Sequence, residues 1–149
     1  MRTDRKTPEL RVLSRKAIEA YVPEALEACI SITDPGSPPA AISSQFQAVL
    51  RLSFSDITSP RLTRSSDILF DDAHVKAILD FARDWDRADR LVIHCEMGQS
   101  RSAAIARALT RLRGESSAEL EQRFPGWNRL ICSRLVAGAD GPEGSPSPA

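Results

Sequence analysis

Cys95 is followed six residues later by Arg101, with Gly98 between them, His94 before and Ser102 after. A thiol and a guanidinium at that spacing can close on one tetrahedral oxyanion. Leu91-Val92-Ile93 reads as a buried parallel strand, and the residues after Arg101 read as a helix. The stretch from Cys95 to Arg101 is then a strand-to-helix loop. A helix N-terminus offers free N–H groups and a positive partial charge. A loop wrapped around that end adds more inward amides and makes a nest for a phosphate. Gly98 lets the loop curl where a side chain would forbid it. The planar fork of Arg101 can grip two oxygens at once. Cys95 lies at the base of the nest, where the same positive field favours the ionised, nucleophilic sulfur.

The Cys-x5-Arg spacing alone is a weak signal. Cys29 plus six is Pro35 and Cys132 plus six is Gly138, so Cys95 alone has it. The histidine before, the glycine at plus three and the serine at plus seven make the pattern specific.

The rest of the chain supplies the elements that must position this loop. Residues 10–13 are a strand, and Ser14 caps a helix over about 15–21. Residues 28–32 are a buried strand running into the loop Thr33–Pro39. Residues 47–54 alternate apolar and polar as a strand does. A fourteen-residue loop over 55–68 follows, long enough to expect a function for it. Asp71 or Asp72 caps a helix with an apolar stripe of Val75, Ile78, Leu79, Ala82 and Trp85. After the central strand and its loop, a helix runs to about Arg113 and is stopped by Gly114. Ser116-Ser117-Ala118-Glu119 resembles a capping box. A last helix spans Asn128 to Val136. Strands alternating with helices predict an α/β domain with a mainly parallel sheet of four to five strands.

A chain of 149 residues is one domain by size and can bury a core without staples. Residues 1–8 are expected to be a flexible N-terminus, 9–137 the domain, and 138–149 a disordered tail rich in Gly, Pro and Ser. Twenty basic and twenty acidic residues cancel, which argues against a nucleic-acid partner. Three scattered cysteines are no disulfide framework, and with two histidines they form no zinc pattern. Met1 to Leu10 is polar, and no apolar run approaches the ~20 residues of a membrane span. The expectation is a cytoplasmic protein with reduced thiols, no membrane association, no metal, no cofactor, and a monomer by default.

The run His94-Cys95-Glu96-Met97-Gly98-Gln99-Ser100-Arg101-Ser102 resembles the signature loop of the cysteine-dependent protein tyrosine and dual-specificity phosphatases. The resemblance extends over roughly residues 9 to 136, including Phe54-Ser55-Asp56-Ile57 and the long helix before the loop, and is greatest to small bacterial members. It implies a metal-free phosphatase that forms a phosphocysteine on Cys95 and hydrolyses it with water. Glu96, Met97, Gly98, Gln99, Ser100 and Arg101 would bind the phosphoryl oxygens. Ser102 would hydrogen-bond the sulfur and assist its release, and His94 would support the loop. The substrate would be a phosphorylated protein, at tyrosine or with dual specificity, or a small phosphomonoester. Glu96 and Gln99 stand where lipid-directed relatives carry lysines, which disfavours polyphosphoinositides on charge grounds.

The resemblance also implies an aspartate as general acid on a separate loop. Asp56 is the choice, because it lies just past a strand, at a βα loop tip that would face the cradle. Asp67 is the runner-up, and Asp71 and Asp72 read as helix caps. The alternatives are a phosphate-binding pseudophosphatase and a rhodanese-like sulfurtransferase, whose anion loop is usually shorter. Cys29 and Cys132 read as core, or as disulfide partners for an oxidised Cys95. His74 reads as solvent-facing, Arg107, Arg111 and Arg113 as a solvated face, and Trp85 and Trp127 as packing residues.

Overall fold

The central strand β4 (Arg90–His94) is buried from Leu91 onward and runs between two parallel neighbours. These are β1 (Glu9–Leu13) on one side and β2 (Glu27–Thr33) on the other. Strand β3 (Ala48–Ser53) pairs parallel with β2 and completes the order β1-β4-β2-β3. The computed structural model describes residues 7–58 and 67–139. Among these residues five helices complete the fold: α1 (Arg15–Glu19), α2 (Asp72–Asp84), α3 (Arg101–Leu112), α4 (Ala118–Arg123) and α5 (Arg129–Ala139). This is the expected single α/β domain, with a sheet of four strands, all parallel.

Strand periodicity divides the core in two. Ala28, Ile30 and Ile32 of β2, with Leu91 and Ile93 of β4, face α2, α3 and α5. Cys29 and Val92 face the other way and pack with Ile18, Ala40 and Phe46. Helix α3 is buried through Ala103, Ala104, Ile105, Ala106, Ala108 and Leu109, small enough on average to sit tightly between sheet and α5. At the amino end of the sheet, buried Glu27 accepts from Arg90 at 2.6 Å and from Tyr21, partners that a buried carboxylate requires.

Several local expectations are corrected. Helix α1 stops at Glu19 rather than near residue 21. Helix α5 runs on through Gly138 to Ala139, past the predicted end at Val136 and two residues into the predicted tail. A Cβ on Gly138 would stand 2.5 Å from Val75 Cγ1, so the glycine lets α5 lie on α2 rather than ending it. The remainder of that tail (140–149), residues 1–6 and the loop interior 59–66 lie outside the described residues. No capping box forms at α4: Ser117 holds the cap position without a side-chain cap bond, while Ser116 Oγ accepts from Ala118 N. Such a box does form at α2, between Asp71 and His74.

His74 is not solvent-facing. Its ring stacks on Phe70 and lies 5.0 Å from Phe54, which joins α2 to the end of β3. Arg107 is likewise half-buried rather than solvated. It bridges Glu121 and Cys132 and lies over Trp127. Among the described residues, no helix is long and apolar enough to cross a membrane.

Candidate active site

All four strands point their carboxyl ends one way, and that edge of a parallel sheet is where its loops can converge on a ligand. β4 ends there at His94. Cys95 N donates to Leu13 O at 3.3 Å, so the loop begins by leaning on β1. Arg15 N donates to Glu96 O at 3.0 Å. Gly98 has φ +71°, and a Cβ there would stand 2.6 Å from Ser14 N and 2.7 Å from Leu13 C. The loop therefore folds back onto the Leu13–Ser14 backbone, which admits glycine alone.

Two carbonyls fix how this loop faces. In a trans peptide the C=O and the following N–H point in opposite directions. The Cys95 carbonyl accepts from His94 Nδ1 at 3.2 Å and the Glu96 carbonyl accepts from Arg15 N. These contacts turn the Glu96 amide away from the His94 ring and the Met97 amide away from Arg15. Met97 is 75 % exposed, Gln99 is exposed, and the Glu96 carboxylate pairs with Arg15 Nη1 at 3.2 Å. These three residues can thus line the cradle only through their backbone.

Cys95 is 1 % exposed at the floor of the loop. Its sulfur accepts from Ser102 N at 3.5 Å and lies 3.2 Å from Ser102 Oγ. The first turn of α3 therefore presents both an amide and a hydroxyl to the sulfur. Burial pushes the neighbouring His94 imidazole below its ordinary value of 6.5, although the Cys95 carbonyl and Glu96 work the other way. The ring is neutral at pH 7.

Arg101 opens α3 and is 4 % exposed. Its Nη1 donates to Phe54 O at 2.8 Å and pairs with Asp34 Oδ1 at 2.8 Å. Its Nε is buried and has no partner. An orphaned donor on a buried cation is costly and calls for an explanation. A bound oxyanion would give Nε an acceptor, because the two acceptors on Nη1 leave the Nε side of the fork unused.

Asp56 is brought to the same place. Its Oδ1 accepts from Ser100 Oγ at 2.8 Å and from Asn128 Nδ2 at 2.7 Å. Asn128 is fully buried and uses every polar group it has. Nδ2 also donates to Ile57 O, N donates to Ser100 O, and Oδ1 accepts from Ile131 N at the start of α5. Asp67 adjoins Ile68, whose backbone pairs with Ser55 at 2.8 and 3.0 Å. Asp71 caps α2 and Asp72 pairs with Arg134 in its first turn.

The sequence-predicted residues Cys95, Arg101, Ser102, His94, Ser100 and Asp56 thus meet at one edge. Asn128 and Asp34 also meet here, and the sequence does not single them out for this site: Asn128 carries a faint signal as an Asn at a helix start, and Asp34 carries none. Among the described residues, no group of three or more His, Cys, Asp or Glu is placed to hold a metal ion.

The fold is that of the dual-specificity and tyrosine phosphatases. A mouse putative dual specificity phosphatase complexed with zinc tungstate shares 20 % identity over 93 % of this chain and 88 % of its own, with a TM-score of 0.54. Tk-PTP in its active form shares 17 % identity over 89 % of this chain and 92 % of its own, also at 0.54. A variant of human DUSP28 shares 24 % over 89 % and 90 %, at 0.53. No protein-family model and no curated protein sequence matches the chain.

Proposed function

We propose that this chain is a cysteine-dependent phosphatase that hydrolyses phosphate monoesters through a phosphocysteine on Cys95. The observation that carries the reading is the buried, partnerless Nε of Arg101, six residues along the loop from the buried Cys95. A dianion of tetrahedral shape answers both features. The tungstate held by a protein of the same fold supports the choice of oxyanion.

In the first step the Cys95 sulfur attacks phosphorus in line, and the bond from phosphorus to the ester oxygen breaks. Asp56 gives its proton to that departing oxygen. Ser100 and Asn128 both donate to Oδ1, so the proton rides on Oδ2. Arg101 and the loop amides hold the equatorial oxygens, where charge spreads in the transition state. In the second step water attacks the phosphocysteine and returns a proton to Asp56. The P–S bond breaks, and the Ser102 hydroxyl hydrogen-bonds the departing sulfur. Inorganic phosphate leaves.

Phosphorylated protein side chains or small phosphomonoesters fit this chemistry. Glu96 in the loop and Asp34 on the arginine bring negative charge to the cradle, which disfavours a second phosphate.

The test is release of phosphate from p-nitrophenyl phosphate. The wild-type protein turns it over, and Cys95→Ser loses at least about a thousandfold in kcat while still binding tungstate. Full activity in Cys95→Ser would refute the mechanism. Tungstate binding by a wild-type protein that shows no turnover would make the chain a phosphate-binding module instead.

A further inference from the structure

Ser31 lies on β2 directly across from His94 of β4 in the sheet register. It is 1 % exposed, and its Oγ is 2.6 Å from His94 Nε2. The other ring nitrogen, Nδ1, faces the Cys95 carbonyl at 3.2 Å. We infer that Ser31 is a positioning residue for the cysteine loop, holding His94 in one tautomer so that the loop amides face the anion.

A carbonyl oxygen only accepts, so Nδ1 must carry the hydrogen. A neutral imidazole carries one ring hydrogen, so Nε2 accepts and the Ser31 hydroxyl donates. Burial keeps the ring neutral, as the depressed imidazole value indicates. The charged groups acting on the ring are Glu96 and Glu19, which favour its cation, and Arg15 and Arg51, which oppose it. The chain of contacts is Ser31 hydroxyl to His94 ring to Cys95 carbonyl. Because that carbonyl is held outward, the Glu96 amide of the same peptide points in toward sulfur and phosphate. Without the serine hydroxyl, the Nε2–H tautomer becomes open to the ring. Nδ1 would then turn a lone pair on the Cys95 carbonyl and release the peptide plane.

This inference deepens the phosphatase reading and rests on it for the consequence, though the contact itself does not depend on turnover. The first measurement uses the wild-type protein: ring ¹⁵N shifts by NMR, with His74→Asn to assign the two histidines. The expected spectrum has hydrogen on Nδ1 and a bare, accepting Nε2. Hydrogen on Nε2 would overturn the inference whether or not the protein is a phosphatase. The second compares Ser31→Ala with Ser31→Thr. In Ser31→Ala the pH profile for iodoacetamide alkylation of Cys95 moves to higher pH, tungstate binds about tenfold more weakly, and kcat/KM falls about tenfold. Ser31→Thr, which keeps the hydroxyl, restores all three. An alkylation profile and tungstate affinity unchanged in folded Ser31→Ala would overturn the inference. Loss of turnover alone would not separate it from the wider reading; the alkylation and tungstate measurements do.

Discussion

Asn128 Nδ2 and Asp56 Oδ1 lie 2.7 Å apart, joining the start of the last helix to the start of the loop that follows the edge strand β3. With Ser100 on the same oxygen, Asp56 is fastened to the cysteine loop through one of its two oxygens. Its second oxygen is left to exchange a proton. For an acid in this role the expected signature depends on the leaving group. Asp56→Asn should slow an alkyl phosphate about 10²–10⁴-fold, the usual worth of a general acid, while sparing an activated aryl phosphate. Asn128→Ala should show the same leaving-group bias more weakly. Steady-state kinetics over a leaving-group series measures this. A uniform loss across the series would assign both residues to structure alone.

Gly98 tests the cradle itself. Alanine there takes on a left-handed backbone and a clash with the Leu13–Ser14 main chain, which has no flexible end to yield. The cost is about 2–4 kcal/mol, combining backbone strain with overpacking. Gly98→Ala should melt markedly lower than wild type and lose tungstate binding. A variant that melts like wild type and binds tungstate would refute the tight seat of the loop.

Much of this arrangement could be read from the sequence, for identifiable reasons. The strand, loop and helix around Cys95 are local: apolar run, glycine, helix start. The core faces of β2 and β4 follow from alternation. What escaped was long-range. Ser31 meets His94 only because β2 and β4 are neighbours, and no periodicity states which strands pair. Asp34 meets Arg101 for the same reason. Asn128 reads as the first residue of the last helix, but its amide faces a loop 71 residues earlier. His74 sits among charged residues, and only the position of Phe54 and Phe70 makes its ring a packing surface.

Oxidation gives a third expectation. Cys29 aligns with Val92, so along the strands it stands three residues, about 10 Å, short of Cys95. It also faces the other core. A disulfide needs Cα atoms about 4.4–6.8 Å apart. Burial pushes the Cys29 thiol up to about 12, so it stays protonated and inert. Peptide mapping after peroxide treatment should find Cys95 oxidised with no link to Cys29. A Cys95–Cys29 peptide from folded protein would contradict the register.

Acid should destabilise the fold through His94. Its folded value lies below 6.5, so the unfolded chain binds this proton more readily. Stability is full above that value and falls as pH drops from about 6.5 toward the lowered folded value. Glu9, Asp71, Asp80 and Glu121 are also held low by hydrogen-bonded partners, but they come into play only below their own ordinary values of 4.5 and 3.8. Melting temperature between pH 7 and pH 5 should therefore decline, and His94→Gln should flatten that decline. An equal slope in the two proteins would assign it elsewhere.

Among the described residues strand β3 has a neighbour on one side only, yet it leads directly into Phe54, whose carbonyl braces Arg101, and into Asp56. Fraying of this margin would unhook the guanidinium and withdraw Asp56 in a single event, while the inner strands stayed zipped. If the chain is the proposed phosphatase, heat that loosened this margin would silence turnover before the body of the protein comes apart.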